Sequence, residues 1–143
     1  AGNYIKKELD DIFKDSDIVS LHLPVTDETR NMIDEKYFSL MKPNALLINS
    51  ARTDVVNNED LIELARSERI GGILLDVLGQ EPPEKEDLEI TKYKNVVLTP
   101  HIAGATYEVT NHQSRIMNER IKKWLNKEDL DKVIYNKEVI QSE

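Results

Sequence analysis

Four short apolar runs separated by longer polar stretches constrain the fold more strongly than any other feature of this sequence. The runs are DIVSLHLP (17–24), ALLINSA (45–51), GGILLDV (71–77) and NVVLTP (95–100). Their centres are continuously apolar, which is typical of parallel strands covered on both faces. The alternation with polar stretches predicts an α/β fold with a largely parallel sheet of three or four strands.

The polar stretches contain three predicted helices. Residues 58–67 place four apolar side chains on one side of a helix, and Asn57 or Asn58 can cap its first turn. Apolar residues recur at near-helical spacing between Thr106 and Leu125, which predicts the longest helix. Residues 4–13 predict a further helix that leads into the first strand. We therefore expect helices on both faces of the sheet.

The composition argues against several classes of protein. A chain of 143 residues is long enough for one domain with a single core. Its formal net charge of -8 argues against binding to nucleic acid, which needs a basic surface. With no cysteine, the chain forms neither disulfides nor thiolate metal sites, and the cytoplasm is the simplest location. No apolar run reaches the roughly 18 residues of a membrane span, so we expect no membrane insertion.

Four chemically active side chains follow the predicted strands at one edge of the sheet. Arg52 follows the second strand, Asp76 and Glu81 follow the third, and His101 follows the fourth. Ligands of open parallel sheets bind beyond the carboxyl ends of the strands, because loops and helix starts converge there. We therefore expect these four residues to share a cleft.

Their chemistry is complementary. An arginine can hold a carboxylate through two hydrogen bonds. A histidine, with an ordinary pKa of about 6.5, exchanges a proton near neutrality, and a carboxylate beside it favours the imidazolium. Such a set suits acid and base chemistry on an anionic substrate. Each residue also has an ordinary alternative: Arg52 and Glu81 as surface charges, Asp76 as a turn cap, and His101 as a structural histidine. Their joint position favours a shared site.

Three ordered blocks carry a family resemblance. They are SDIVSLHLPVTDETRNMI, LMKPNALLINSARTDVVNNEDLIELARSERIGGILLDVLGQEPP and NVVLTPHIAGAT, between about residue 10 and residue 125. In sequence and spacing they resemble the cofactor domain of the D-isomer-specific 2-hydroxyacid dehydrogenases, including phosphoglycerate dehydrogenase. The resemblance implies a partial, doubly wound Rossmann-type sheet that binds NAD, with NADP left open, and an oxidoreductase that acts on a small 2-hydroxy or 2-oxo acid.

The resemblance also implies roles for individual residues. Arg52 matches the arginine that binds the substrate carboxylate and carbonyl, His101 matches the catalytic acid and base, and Glu81 matches its partner. Asp76 matches a residue near the nicotinamide carboxamide. The segments that line the nicotinamide half of the cofactor correspond to Leu23 and Pro24, to Ser50, Ala51 and Arg52, and to the turn from His101 to Gly104.

The two other histidines have weaker assignments. His22 is expected to pack behind the cofactor, and His112 is expected to lie on the long helix. We expect no metal, since no cluster has metal-ligand spacing.

The chain departs from the family pattern in its first half. The family's G-x-G-x-x-G turn is missing, because the five glycines, at positions 2, 71, 72, 79 and 104, cannot form it. We therefore expect a fragment: residues 1–127 as the C-terminal half of the NAD-binding domain, and residues 128–143 as the start of a return to a separate substrate domain. By itself this polypeptide is expected to show little or no turnover. The alternative is a non-catalytic module that senses a nucleotide or binds a partner, like the corepressors of this superfamily.

Two further expectations follow from these departures. Thr53 and Asp54 stand after Arg52, where the family often has glycine, and an added side chain and charge there can alter substrate preference. The first strand is expected to form an open edge of the sheet, with unpaired backbone groups and uncovered apolar side chains. We therefore expect a homodimer that covers this edge.

Overall fold

A computed structural model describes residues 4–128 of the chain. These residues belong to two compact units, one that ends at Ala103 and one that begins at Gly104. The first unit contains the sheet and the second contains the longest helix.

The first unit is built on a parallel sheet of four strands. The strands are β1 (Ile18–Leu21), β2 (Leu46–Asn49), β3 (Gly72–Leu75) and β4 (Val96–Leu98), and they neighbour one another in chain order. In register, Val19 stands opposite Leu47, and Leu47 stands opposite Ile73. Each strand lies inside one of the four apolar runs, so the predicted parallel sheet is confirmed.

Three helices precede or connect the strands. They are α1 (Leu9–Asp15), α2 (Glu35–Leu40) and α3 (Asn58–Ser67), and short 3-10 turns cover Thr53–Val55 and Asp87–Lys92. Helix α3 has the predicted bounds, and Asn57 caps it by accepting a hydrogen bond from the Asp60 amide at 3.2 Å. The prediction of a helix over residues 4–13 is wrong at its start, because the helix begins at Leu9. Tyr4 and Ile5 are 93% and 83% exposed, so burial does not stabilise a helix there.

Helix α2 has no counterpart in the sequence analysis. It is six residues long and buries a single side chain, Phe38, so it leaves almost no periodic signal. Its N-cap is readable, because Asp34 accepts a hydrogen bond from the Lys36 amide at 3.0 Å. Pro43 follows shortly after the helix ends. These two residues are the signals that predict such a short helix.

The core lies between the helices and one face of the sheet. Alternate strand residues point into it, and the helices contribute Phe13, Phe38 and Leu64, each no more than 1% exposed. The strand residues on this side are Val19, Leu21, Leu47, Asn49, Ile73 and Leu75. On the other side, Ile18 and Val97 are 57% and 58% exposed. Helices on that second face stay a prediction.

The second unit contains α4 (Tyr107–Leu125), the longest helix in the described residues. Thr106 caps it by accepting a hydrogen bond from the Val109 amide at 3.2 Å. This confirms the helix predicted between Thr106 and Leu125. The expected return segment at 128–143 lies outside the described residues from position 129 onward.

Candidate active site

A cleft of about 290 Å³ opens at the carboxyl ends of β2, β3 and β4. The turn after β2 contributes Arg52, the segment after β3 contributes Glu81, and the turn after β4 contributes His101. The other lining residues are Thr53, Asp54, Val77, Leu78 and Gly79. Three of the four side chains expected at this edge therefore line one cleft. The fourth, Asp76, is buried beside it and supports its wall.

Arg52 extends from a turn that begins at the last residue of β2. Its backbone is extended, with φ at -150° and ψ at 146°, immediately before the 3-10 turn at Thr53–Val55. The guanidinium donates from Nη1 to the carbonyl oxygen of Ala51 at 2.6 Å. Because a guanidinium has five donors, this contact leaves several for an anion in the cleft.

His101 and Glu81 form a hydrogen-bonded pair. Nδ1 of the imidazole contacts Oε1 of the carboxylate, and both side chains reach solvent. A carboxylate on Nδ1 orients the ring and leaves Nε2 as the nitrogen that can exchange a proton with a substrate. His101 has a left-handed backbone, with φ at 52°, and its amide donates to the Thr99 carbonyl at 3.0 Å. A non-glycine residue in this region is uncommon, and such residues cluster at functional sites.

Asp76 supports the turn that presents His101. Burial opposes its ionisation, but hydrogen bonds from the Thr99 hydroxyl and from the amides of Ala103 and Ile102 outweigh this and lower the pKa of Asp76 below its ordinary value. The two amides lie 2.8 and 2.9 Å from the carboxylate oxygens. His101 also favours the anion. The carboxylate therefore holds both sides of the turn, and the predicted contact of Asp76 with a cofactor stays a prediction.

Asn49 supports the turn that presents Arg52, as Asp76 supports the turn that presents His101. Its side chain accepts a hydrogen bond from the Ala51 amide at 3.0 Å and donates to the Arg52 carbonyl at 2.9 Å. Asn49 lies in the apolar run at 45–51, and no role was predicted for it from the sequence. The signal was present, because a polar residue that closes a continuously apolar run must find partners inside the fold.

The remaining predicted cofactor residues do not line the cleft. Leu23 packs against the core, and the Pro24 carbonyl accepts a hydrogen bond from the Thr29 hydroxyl at 2.6 Å. Ser50 and Ala51 form the turn before Arg52, and Gly104 begins the second unit. Contact of these residues with a cofactor stays a prediction.

The cleft also contains a negatively charged side chain beside the positively charged Arg52. Asp54 lines the cleft, and its carboxylate accepts a hydrogen bond from Nη1 of Arg30 at 2.9 Å. A second, more apolar cleft of about 530 Å³ lies beside the first and includes Leu88, Leu98 and Pro83. Glu81 and His101 line both clefts, so the pair separates a polar space from an apolar one.

Two kinds of feature are absent from the described residues. Among residues 4–128, no group of three or more His, Cys, Asp and Glu side chains could hold a metal ion. The helices in this part of the chain are too short or too polar to cross a membrane. His22 and His112 are exposed, and their ring nitrogens contact the Ser20 hydroxyl and the Arg115 guanidinium.

Comparison with known proteins gives a consistent result. Residues 2–103 match the family model described as "D-isomer specific 2-hydroxyacid dehydrogenase, NAD binding domain". The provisionally named 2-hydroxyacid dehydrogenase YoaD of Bacillus subtilis (strain 168) is 46% identical over 140 residues, which cover 97% of this chain and 41% of YoaD. A glyoxylate reductase of Thermococcus litoralis is 40% identical over 135 residues, which cover 94% of this chain and 40% of that enzyme.

Solved structures agree. The NAD-complexed form of a D-isomer specific 2-hydroxyacid dehydrogenase from Lactobacillus delbrueckii ssp. bulgaricus matches with a TM-score of 0.79 and 30% identity. The match covers 90% of this chain and 43% of that one. The chain thus spans about two fifths of the length of the relatives that it resembles.

Proposed function

Because the chain belongs to the D-isomer specific 2-hydroxyacid dehydrogenase family, we propose that it forms part of an enzyme that interconverts a D-2-hydroxy acid and a 2-oxo acid by hydride transfer. Within that enzyme, residues 1–127 are the C-terminal half of the NAD-binding domain, and residues 128–143 begin the return to a substrate domain. The relatives named glyoxylate reductase and D-lactate dehydrogenase support this reaction class.

One observation carries the proposal: the Glu81 and His101 pair lines the same cleft as Arg52. A guanidinium at one side of the cleft can bind the carboxylate of a 2-oxo acid and polarise the adjacent carbonyl. The imidazole can then reach the carbonyl oxygen through Nε2. An arginine and a proton donor in one small cleft suit an anionic substrate with a carbonyl beside its carboxylate.

His101 and Glu81 have separate roles in the proposed reaction. In reduction, NADH would supply the hydride for the carbonyl carbon when it is bound. His101 donates a proton to the carbonyl oxygen, so the product is a hydroxyl and the imidazole becomes neutral. Glu81 holds the ring through Nδ1, so that Nε2 is the nitrogen that faces the substrate. In oxidation, neutral His101 would remove the hydroxyl proton, and the hydride would pass from the same carbon to bound NAD⁺.

The lining of the cleft fits the nicotinamide half of the cofactor. Val77 and Leu78 offer an apolar surface for an uncharged reduced ring, next to the polar groups that act on the substrate. Leu23, Pro24, Ser50, Ala51, Asp76 and Gly104 would line this half. We propose NAD as the cofactor, because relatives of solved structure include NAD complexes, although an imino acid reductase of similar fold is complexed with NADPH.

We expect His101→Ala to lower kcat for reduction of a 2-oxo acid by about 10²- to 10⁴-fold, the usual contribution of a general acid. The variant is made in the protein that carries this chain, and its affinity for NADH is measured by fluorescence titration. That affinity should stay within about twofold of the parent, because the role assigned to His101 is proton transfer. His112→Ala is the matched control, since His112 is exposed on α4 and does not line the cleft. Unchanged kcat in the His101 variant would reject the proton-transfer role.

A further inference from the structure

Asn49 and Asp76 are the two buried polar or charged residues of the described chain. They are 2% and 6% exposed, and they end or follow the neighbouring strands β2 and β3. The Asp76 amide donates to the Asn49 carbonyl at 2.9 Å, so their backbones are directly linked. The side chain of Asn49 forms hydrogen bonds with the turn that presents Arg52, and the side chain of Asp76 does so with the turn that presents His101.

We propose that Asn49 is a positioning residue that sets the placement of Arg52 for substrate binding. The inference rests on the proposed function, because it takes Arg52 as the group that binds the substrate carboxylate. Asn49 itself does not line the cleft and acts only through the turn that it holds.

The hydrogen bonds of Asn49 define the path of the turn. Its Oδ1 accepts from the amide two residues ahead, Ala51, and its Nδ2 donates to the carbonyl three residues ahead, that of Arg52. The side chain therefore fastens the turn on both sides of the peptide bond that joins Ala51 to Arg52. An amide side chain is needed, because one oxygen must accept and one nitrogen must donate at the same place.

Burial makes these hydrogen bonds consequential. At 2% exposure, neither the side chain nor the turn atoms that it contacts can exchange these partners freely for water. Leu47 precedes Asn49 on the same face of β2 and is fully buried, so the side chain stands on a packed surface that cannot follow a shift of the turn. The backbone of Arg52 is thus attached to the rigid sheet through Asn49. The Arg52 side chain is exposed, and its one hydrogen bond to the described residues goes to the Ala51 carbonyl.

An isosteric change gives a sharp variant. In Asn49→Asp, one oxygen can still accept from the Ala51 amide, but the other would face the Arg52 carbonyl, where a donor is required. The variant keeps the size of the side chain, loses one hydrogen bond and adds a buried negative charge, so its effect is compared with that of an uncharged variant. Asn49→Ala removes both hydrogen bonds and is the second variant.

The test compares KM values in the protein that carries this chain. We expect either Asn49 variant to raise KM for glyoxylate or pyruvate about tenfold or more, because small displacements of a positioned group are costly. KM for NADH should rise by a clearly smaller factor, because Ser50 and Ala51 of the same turn would supply only part of the surface proposed for the cofactor. Asn95→Ala is the matched control: Asn95 precedes β4 at the opposite end of the sheet, and its side-chain Nδ2 and Oδ1 are buried without a hydrogen-bond partner in the described structure. This control should leave both KM values unchanged.

A double-mutant cycle separates positioning from general destabilisation. If Asn49 acts through Arg52, then Asn49→Ala, which adds no charge, should have no further effect on the oxo acid KM in an Arg52→Ala background. Additive effects, an oxo acid KM within twofold of the parent, or equal rises in both KM values would overturn the positioning role. An unchanged oxo acid KM in Arg52→Ala alone would instead overturn the carboxylate-binding role on which the inference rests.

Discussion

At the scale of single residues, the position of a polar side chain just after a strand was the signal that predicted the site. Arg52, Glu81 and His101 were predicted to meet because each follows a different parallel strand, and the structure brings all three to one cleft. The left-handed backbone of His101 could not be predicted, because it depends on how Asp76 holds the turn in three dimensions. The role of Asn49 was missed for the same reason: its partners become visible only when the turn is folded.

Asp76 gives a pH-dependent prediction. Its folded-state pKa lies below the ordinary value of a carboxyl group, so the native state binds its proton less readily than the unfolded chain does. The stability that ionised Asp76 contributes is therefore fully present above the ordinary carboxyl pKa of about 4, and it is lost as the pH falls through the lower folded-state pKa.

The measurement is urea unfolding of the chain between about pH 3 and pH 7, with Asp76→Asn as the variant. We expect Asp76→Asn to lower the unfolding free energy by about 1 to 3 kcal/mol near pH 7, because an amide cannot accept all of the hydrogen bonds that the carboxylate receives. The difference between parent and variant should shrink toward acid pH. Asp27→Asn removes an exposed charge and serves as the control. A difference that stays constant over this range would contradict the assigned role of the anion.

At the scale of elements, the strands were easier to predict than the short helices. Each strand is a run of apolar residues that the sheet buries on at least one side, so its signal survives in the sequence. Helix α3 was predicted correctly because it has a cap and a clear apolar side, whereas α2 buries only Phe38. The start of α1 was misplaced because Tyr4 and Ile5 are apolar yet exposed, and a periodic pattern does not show whether a partner surface exists.

Strand β1 carries a prediction about association. Among the described strands it pairs only with β2, and Ile18 is 57% exposed at this edge. Unpaired edges with apolar side chains favour pairing with another chain. We expect the polypeptide to form a homodimer through this edge, with a mass by light scattering twice the 16.5 kDa of one chain.

A charge on the edge tests this directly. Ile18→Lys should convert the dimer to a monomer, because a lysine on an edge strand opposes pairing. Leu88→Lys is the control, since Leu88 is also an exposed apolar residue, at 41%, but lies in the 3-10 turn at Asp87–Lys92. A parent chain that is monomeric at all concentrations would contradict the prediction, as would a dimer unaffected by Ile18→Lys.

At the scale of the whole molecule, the family and the fold followed from ordered blocks spread along most of the chain. The match of residues 2–103 to the family model confirms this identification. Substrate identity did not follow, because the groups proposed to act on the carboxylate and the carbonyl, Arg52 and His101, would meet the same two groups in every small 2-oxo acid.

The central claim is that the protein carrying this chain transfers a hydride from NADH to the carbonyl carbon of a 2-oxo acid. Its most direct test is incubation with NADH deuterated at both C4 positions and with glyoxylate, pyruvate or hydroxypyruvate, followed by mass and chiral analysis of the product. We predict deuterium at C2 of a 2-hydroxy acid, and the D configuration wherever the product is chiral. Products without deuterium at C2, or with the L configuration, would contradict the account.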